Sequence, residues 1–212
     1  MIFQSYLNHT QCKDDTDLVV IPVPWDVTAS FRSGSAESFE NVYKVSNQTD
    51  IAHKLFDFNA YVHPSDIKLA LLNKKTKYVS QDIIEKFNTN QSVSDRDLMS
   101  IEQVNDACRY MNEYVEETAL DYLKKGKKCC VFGGDHSTVL GHLRALEHCH
   151  EDIAIIQFDA HMDLLESYQG FTYSHASVMK HALDLDNISG LIQIGIRDFM
   201  NEEKNIASDN DK

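Results

Sequence analysis

Asp159, His161 and Asp163 follow the apolar run Asp152 to Phe158 at positions i, i+2 and i+4. Alternate side chains of an extended chain point the same way, so this spacing aims two carboxylates and one imidazole to one side. Converging oxygen and nitrogen donors suit a divalent transition metal. With no thiolate in the motif, manganese fits best, with zinc, iron or cobalt as alternatives. His136, in the run Gly133-Gly134-Asp135-His136-Ser137, is a fourth donor, and the two glycines let the backbone turn sharply before it. Asp135 reads either as a turn former or as an anchor for a ligand. Three ionisable groups at the end of a buried strand are costly unless paired or metallated, which favours a metal. His142, His148, His150 and His181 have no convergent partners in the sequence and stay unassigned.

These donors need elements that bring them together. Lys128–Phe132 reads as a short strand, Thr138–Cys149 as a helix and Asp152–Phe158 as a second buried strand. Together they have the size of a β-α-β unit, which makes the strands parallel and predicts that they are neighbours. Their C-terminal ends then open onto one sheet edge, where ligands bind in open parallel sheets. Upstream, Leu18–Asp26 is a buried strand running into a loop, Thr28–Glu37, and Ser38–Ser46 is a short helix. The stretch from Thr49 to Asn90 has only a weak pattern. Ser100 with Gln103 predicts a capping box opening a long helix that stops at Gly126. A long loop leads from Asp159 to a helix over His175–Leu185, and Gly190–Asp198 is a third strand. Residues 1–200 are thus expected to form a single α/β domain, and the polar residues 201–212 a mobile tail.

Composition limits the partners. The formal net charge of −13 repels phosphate backbones and anionic membranes, so nucleic acid and membrane are excluded, while a cationic substrate is attracted. The five cysteines include no C-x-x-C pair, and reduced thiols are expected. No run has the length of a transmembrane helix, and the first ten residues have no signal-peptide pattern, so the expected location is the cytoplasm.

The motifs Val131–Ser137 (VFGGDHS) and Ile155–Asp163 (IIQFDAHMD) resemble two signatures of the ureohydrolases, the arginase and agmatinase family. Tyr173–Met179 (YSHASVM) and Gln193–Asp198 (QIGIRD) also fit, in a form more similar to agmatinase-type members. The run VPWDVTASFRSG resembles the loop those enzymes carry after their first strand. The resemblance implies a three-layer α/β/α fold around a mainly parallel sheet. It implies that His136, Asp159, His161 and Asp163 ligate a pair of manganese ions, with Asp159 bridging, and that His175 shuttles protons. The implied reaction is hydrolysis of a guanidino C–N bond by metal-bridging hydroxide, with agmatine giving putrescine and urea. The implied partners are a small cationic guanidino substrate and further copies of the same chain.

The sequence departs from the family at two places. A strand ending in S-x-D-x-D-x-x-D-P, which completes the metal pair, has no counterpart here, nor does a later glutamate that holds the guanidinium. Asp209 and Asp211 follow no apolar strand and are not substitutes. C-terminal strands are therefore expected to be missing, leaving an unpaired sheet edge and a weakened second metal. The loop after the first strand keeps Arg32 and Gly34, but Ser38-Phe39 and Val42-Tyr43 stand where the family has G-P and I-R. Arginine, guanidinobutyrate and formiminoglutamate stay open as substrates. So do an inactive remnant that binds metal weakly or associates with a relative, and a hydrolase of formimino or other amidine groups.

Overall fold

A computed structural model describes residues 12–46 and 60–212. β1 (Leu18–Pro22) is a run of β-branched and apolar residues, and Val19 and Ile21 are fully covered. It pairs in parallel with β2 (Ala60–Val62) on one side and β3 (Lys128–Phe132) on the other. The register sets Leu18 opposite Ala60 and Pro22 opposite Phe132. β4 (Ile153–Phe158) pairs in parallel with β5 (Ile188–Ile194) in a second sheet. The expectation that β3 and β4 are neighbours is therefore corrected. The two strands lie in separate hydrogen-bonded sheets, because a strand-helix-strand connection does not by itself dictate which strand each one pairs with.

Helices flank these strands: α1 (Ser38–Ser46), α2 (Ile67–Asn88), α3 (Asp95–Leu123), α4 (Leu140–Glu147), α5 (Val178–Leu183) and α6 (Asn201–Asp209). α3 starts earlier than predicted, because Ser94 and Asp97 form the capping box and displace Ser100 and Gln103 from that role. Its buried stripe includes Ile101, Val104, Cys108, Met111, Val115 and Ala119, at helical spacing. α2 was hidden in the weakly patterned stretch for a physical reason. Its buried positions Leu69, Asn73, Thr76, Ser80, Ile83 and Ile84 keep the helical period, but three of the six are polar.

One core cluster packs β1 against α2 and α3 around Trp25, Leu69 and Met111. A second, around Leu140, Leu164, Val178 and Leu183, lies near β4 and β5. Each fully covered large apolar side chain in them contributes about 1.5–3 kcal/mol. Not all the apolar surface is covered. Ile156 and Phe158 on β4, and Ile192 and Ile194 on β5, are exposed, and Phe158 keeps 78% of its surface in solvent.

The segment expected as a polar mobile tail contains a helix. Residues 201–209 form α6, whose Glu203 is only 5% exposed and accepts from Leu164 N at 3.1 Å and Met200 N at 2.8 Å. Beyond it, Lys212 O accepts from Leu191 N of β5, and Lys212 Nζ donates to Leu183 O and Leu185 O. Mostly polar contacts tie this segment down, with Ile206 its apolar contact to the second core cluster, so its composition resembled that of a free tail. Among the described residues, no helix is long and apolar enough to cross a membrane.

Candidate active site

β3 runs into Gly133-Gly134. A Cβ on Gly134 would meet Trp25 O at 1.7 Å, so no side chain fits there. The close approach lets Asp135 N donate to Trp25 O at 2.9 Å, which sets the turn that delivers His136. The Asp135 carboxylate is saturated by four donors. Thr28 N and Oγ1 donate to Oδ2, and Ser137 N and Oγ donate to Oδ1. Both readings left open by the sequence converge here: Asp135 caps the turn and, in doing so, anchors the residue next to it.

His136 Nδ1 stands 2.6 Å from Asp163 Oδ2 and 3.5 Å from Asp159 Oδ2. One ligand atom from each of these residues lies within 4.8 Å of the others. Asp159 follows β4 directly, and its Oδ1 accepts from His161 N at 2.9 Å. Asp163 is only 5% exposed and adopts φ +56°, a left-handed conformation that aspartate tolerates. Its carbonyl accepts from Met179 N and Lys180 N, fixing it against the start of α5.

His161 is placed differently from the other three donors. Its side chain is exposed, with Nδ1 3.3 Å from Asp159 Oδ1 and Nε2 3.8 Å from Asp198 Oδ2. Simple alternation therefore holds only from Asp159 to His161. Asp163 reaches the cluster through its left-handed turn instead. Asp159 lies between the two histidines, with Oδ2 towards His136 and Oδ1 towards His161.

Burial pushes the His136 pKa down, but the Asp163 carboxylate beside it, with Asp159 and Asp135, outweighs burial and raises it. Burial pushes the Asp159 carboxyl up, yet the His161 N–H and the His136 charge hold it below the ordinary carboxylate range. A proton on His136 and a divalent cation compete for the same two carboxylates.

His175 opens a short 3-10 turn, His175–Ser177, capped by Ser174. It lines the same cavity as His136, Asp159, His161 and Asp163, with a volume of about 600 Å³. The loop after β1 contributes Ser30, Phe31 and Arg32, and the guanidinium of Arg32 sits 5.3 Å from the Phe31 ring centre. Asp198 and Glu203 add acids to the wall, so the cavity favours cations. The spacing of the metal motif pointed to neither of them. Asp198 was visible only through the QIGIRD resemblance, and Glu203 had no signal in the sequence.

A buried network holds the Arg32 loop at both ends. Asp26 is fully covered, pairs with Lys77, and accepts from Asn73 Nδ2 at 3.2 Å and Gly34 N at 2.9 Å. Ser80 Oγ donates to Val27 O at 2.6 Å. Lys77 and Asn73 come from the polar stripe of α2, so the helix that sequence patterning obscured also supports the site. The unassigned histidines lie outside the cavity lining. His181 Nε2 is 2.8 Å from Thr172 O, and His148 pairs with Glu116.

The model of the arginase family matches residues 16–211. The agmatinase of Bacillus subtilis (strain 168) is 30% identical over 197 residues, covering 93% of this chain and 58% of its own. The solved agmatine ureohydrolase of Thermoplasma volcanium superposes with a TM-score of 0.64 at 22% identity, over 93% of this chain and 56% of its own. The formiminoglutamase of Trypanosoma cruzi, solved with Mn2+, gives 0.68 at 14% identity, over 99% of this chain and 62% of its own. These likenesses establish the three-layer α/β/α fold with its parallel strands. The chain spans little more than half the length of the curated relatives it matches.

Proposed function

Because this chain belongs to the arginase family, we propose that it serves the manganese-dependent hydrolysis of a guanidino C–N bond, with agmatine as substrate. The observation that carries the reading is the convergence of His136, Asp159 and Asp163 in an acidic cavity that also holds His175. One imidazole nitrogen and two carboxylate oxygens, with Asp163 buried, fit a cation of mixed oxygen and nitrogen preference. Asp159, with one oxygen towards each histidine, and His161 would be the residues to hold a second ion. When bound, manganese would supply the acidified water that a poorly electrophilic guanidinium carbon requires.

The remaining work falls to side chains of the chain itself. The acidic wall attracts a cationic guanidinium and disfavours an anionic substrate. His175 holds a proton for the departing amine, so that urea and putrescine leave as stable products. Agmatine is favoured over arginine because it has no carboxylate to place among Asp159, Asp163, Asp198 and Glu203. The similarity to the Bacillus subtilis agmatinase supports the same choice.

The test is elemental analysis of protein purified with manganese, combined with urea release from agmatine, arginine and guanidinobutyrate and formamide release from formiminoglutamate. About two manganese per chain with urea from agmatine supports the proposal. A second reading is favoured by the single three-donor cluster found among the described residues. It holds that the chain binds one ion weakly and does not hydrolyse by itself. Substoichiometric metal without urea would establish that reading.

A further inference from the structure

Thr28 lies at the start of the loop after β1, is 1% exposed, and touches no residue of the metal cluster. Its hydroxyl nevertheless joins two parts of the site. Thr28 Oγ1 donates to Asp135 Oδ2 at 2.9 Å, and Thr28 N donates to the same oxygen at 3.1 Å. A hydroxyl has one proton, so this bond leaves its oxygen only as an acceptor. His175 meets that oxygen twice, through its backbone N at 3.1 Å and its ring Nδ1 at 3.3 Å. An acceptor oxygen can be satisfied only by Nδ1–H.

We propose that Thr28 is a positioning residue: held by Asp135, its hydroxyl locks neutral His175 in the tautomer that carries hydrogen on Nδ1 and leaves Nε2 bare. No residue among those described forms a hydrogen bond with Nε2, and the ring lines the acidic cavity. Nε2 is therefore the nitrogen that takes a proton from solvent and passes it on. The ring cycles between imidazolium and the Nδ1–H form, and Nδ1 stays protonated throughout. The proton-carrying role rests on the function proposed above, but the tautomer rests only on the geometry.

One neighbour competes. Ser174 Oγ lies 3.4 Å from Nδ1 and could donate to it, which would favour the opposite tautomer. Thr28 prevails because its oxygen is fixed from two sides, by Asp135 and by the His175 backbone N–H. Turning its proton towards His175 would also take a donor from the Asp135 carboxylate. The Tyr168 ring, edge-on with its centre 5.8 Å from that of His175, supplies steric support.

The experiment is long-range 1H–15N NMR on the metal-free, 15N-labelled protein above the pH of imidazole titration. The His175 pattern is assigned by its loss in His175→Gln. The expected spectrum has Nδ1 in the protonated-nitrogen region and Nε2 in the bare-nitrogen region. Thr28→Ser should retain the pattern, and Ser174→Ala should leave it unchanged or sharpen it. Thr28→Val should convert it to a mixture or to the Nε2–H form. A wild-type spectrum showing Nε2–H, or a Thr28→Val variant keeping Nδ1–H, overturns the proposal. Should Thr28→Val fail to fold, the wild-type and Thr28→Ser spectra decide alone. Because the readout needs neither metal nor turnover, failure of hydrolysis and failure of the tautomer lock are separate results.

Discussion

His136 Nδ1 lies 2.6 Å from Asp163 Oδ2, joining the turn after β3 to the turn after β4 although the two strands are in different sheets. The contact makes Asp163 the most buried acid of the cluster and the one with least water to replace a lost partner. Asp163→Ala should weaken Mn2+ binding by about 100-fold or more, since even the residues that orient metal ligands contribute about 10–100-fold. The check is a titration that follows the electron paramagnetic resonance signal of free Mn2+. An affinity within twofold of wild type would remove Asp163 from the ligand set.

The Asp26 network should make the Arg32 loop sensitive to acid. Burial pushes the Asp26 carboxyl up, but Lys77, the Gly34 N–H and Asn73 together outweigh it and set its pKa below the ordinary value of 3.8. A carboxyl with a depressed folded pKa contributes stability above the unfolded value. That contribution is lost as pH falls below about 4 and through the folded pKa. Urea unfolding should therefore show wild type losing stability below pH 4, with a smaller loss in Asp26→Asn. At pH 7, Asp26→Ala should cost about 3 kcal/mol, the low end for breaking a buried pair, because Lys77 retains some contact with water.

The exposed apolar side chains of β4 and β5 have a colloidal consequence. Ile156, Phe158, Ile192 and Ile194 lie on two short strands that pair only with each other among the described residues, and open sheet edges with exposed apolar side chains template association. The chain alone should self-associate as its concentration rises through the micromolar range. Ile192→Lys combined with Phe158→Lys should suppress this without lowering the denaturation midpoint. Light scattering across a dilution series measures it, and a monodisperse wild-type monomer at all concentrations would refute it.

How far the sequence revealed this site depends on which force held each part. The ends of β3 and β4 were legible because an apolar run breaking into acids or glycines has few other solutions. Which strands pair was not legible, since β-α-β chirality constrains direction alone. α2 was obscured because Asn73, Thr76 and Ser80 occupy its buried stripe, where a hydrophobic period is expected. The left-handed turn at Asp163 left no mark, because aspartate is common both in such turns and as a ligand. Glu203 was read as tail because a charged residue is rarely buried, and only its backbone donors explain the exception.

Glu203 therefore provides the sharpest test of α6. Its carboxylate accepts from Leu164 N and Met200 N, and Leu164 directly follows Asp163. Glu203→Ala leaves the buried Leu164 amide without a partner, a loss of about 1–3 kcal/mol. Glu203→Gln should restore part of that loss. Its carbonyl oxygen can accept from one amide, but its NH2 group opposes the other donor. Hydrogen exchange reads the effect directly. The Leu164 amide should be protected in wild type, partly protected in Glu203→Gln and unprotected in Glu203→Ala, while Val104 in α3 keeps its protection in all three. Loss confined to Leu164 and α6 would show that this acid docks the segment onto the metal turn. Equal loss at Val104 would instead make Glu203 a contributor to global stability, with no local role at the site.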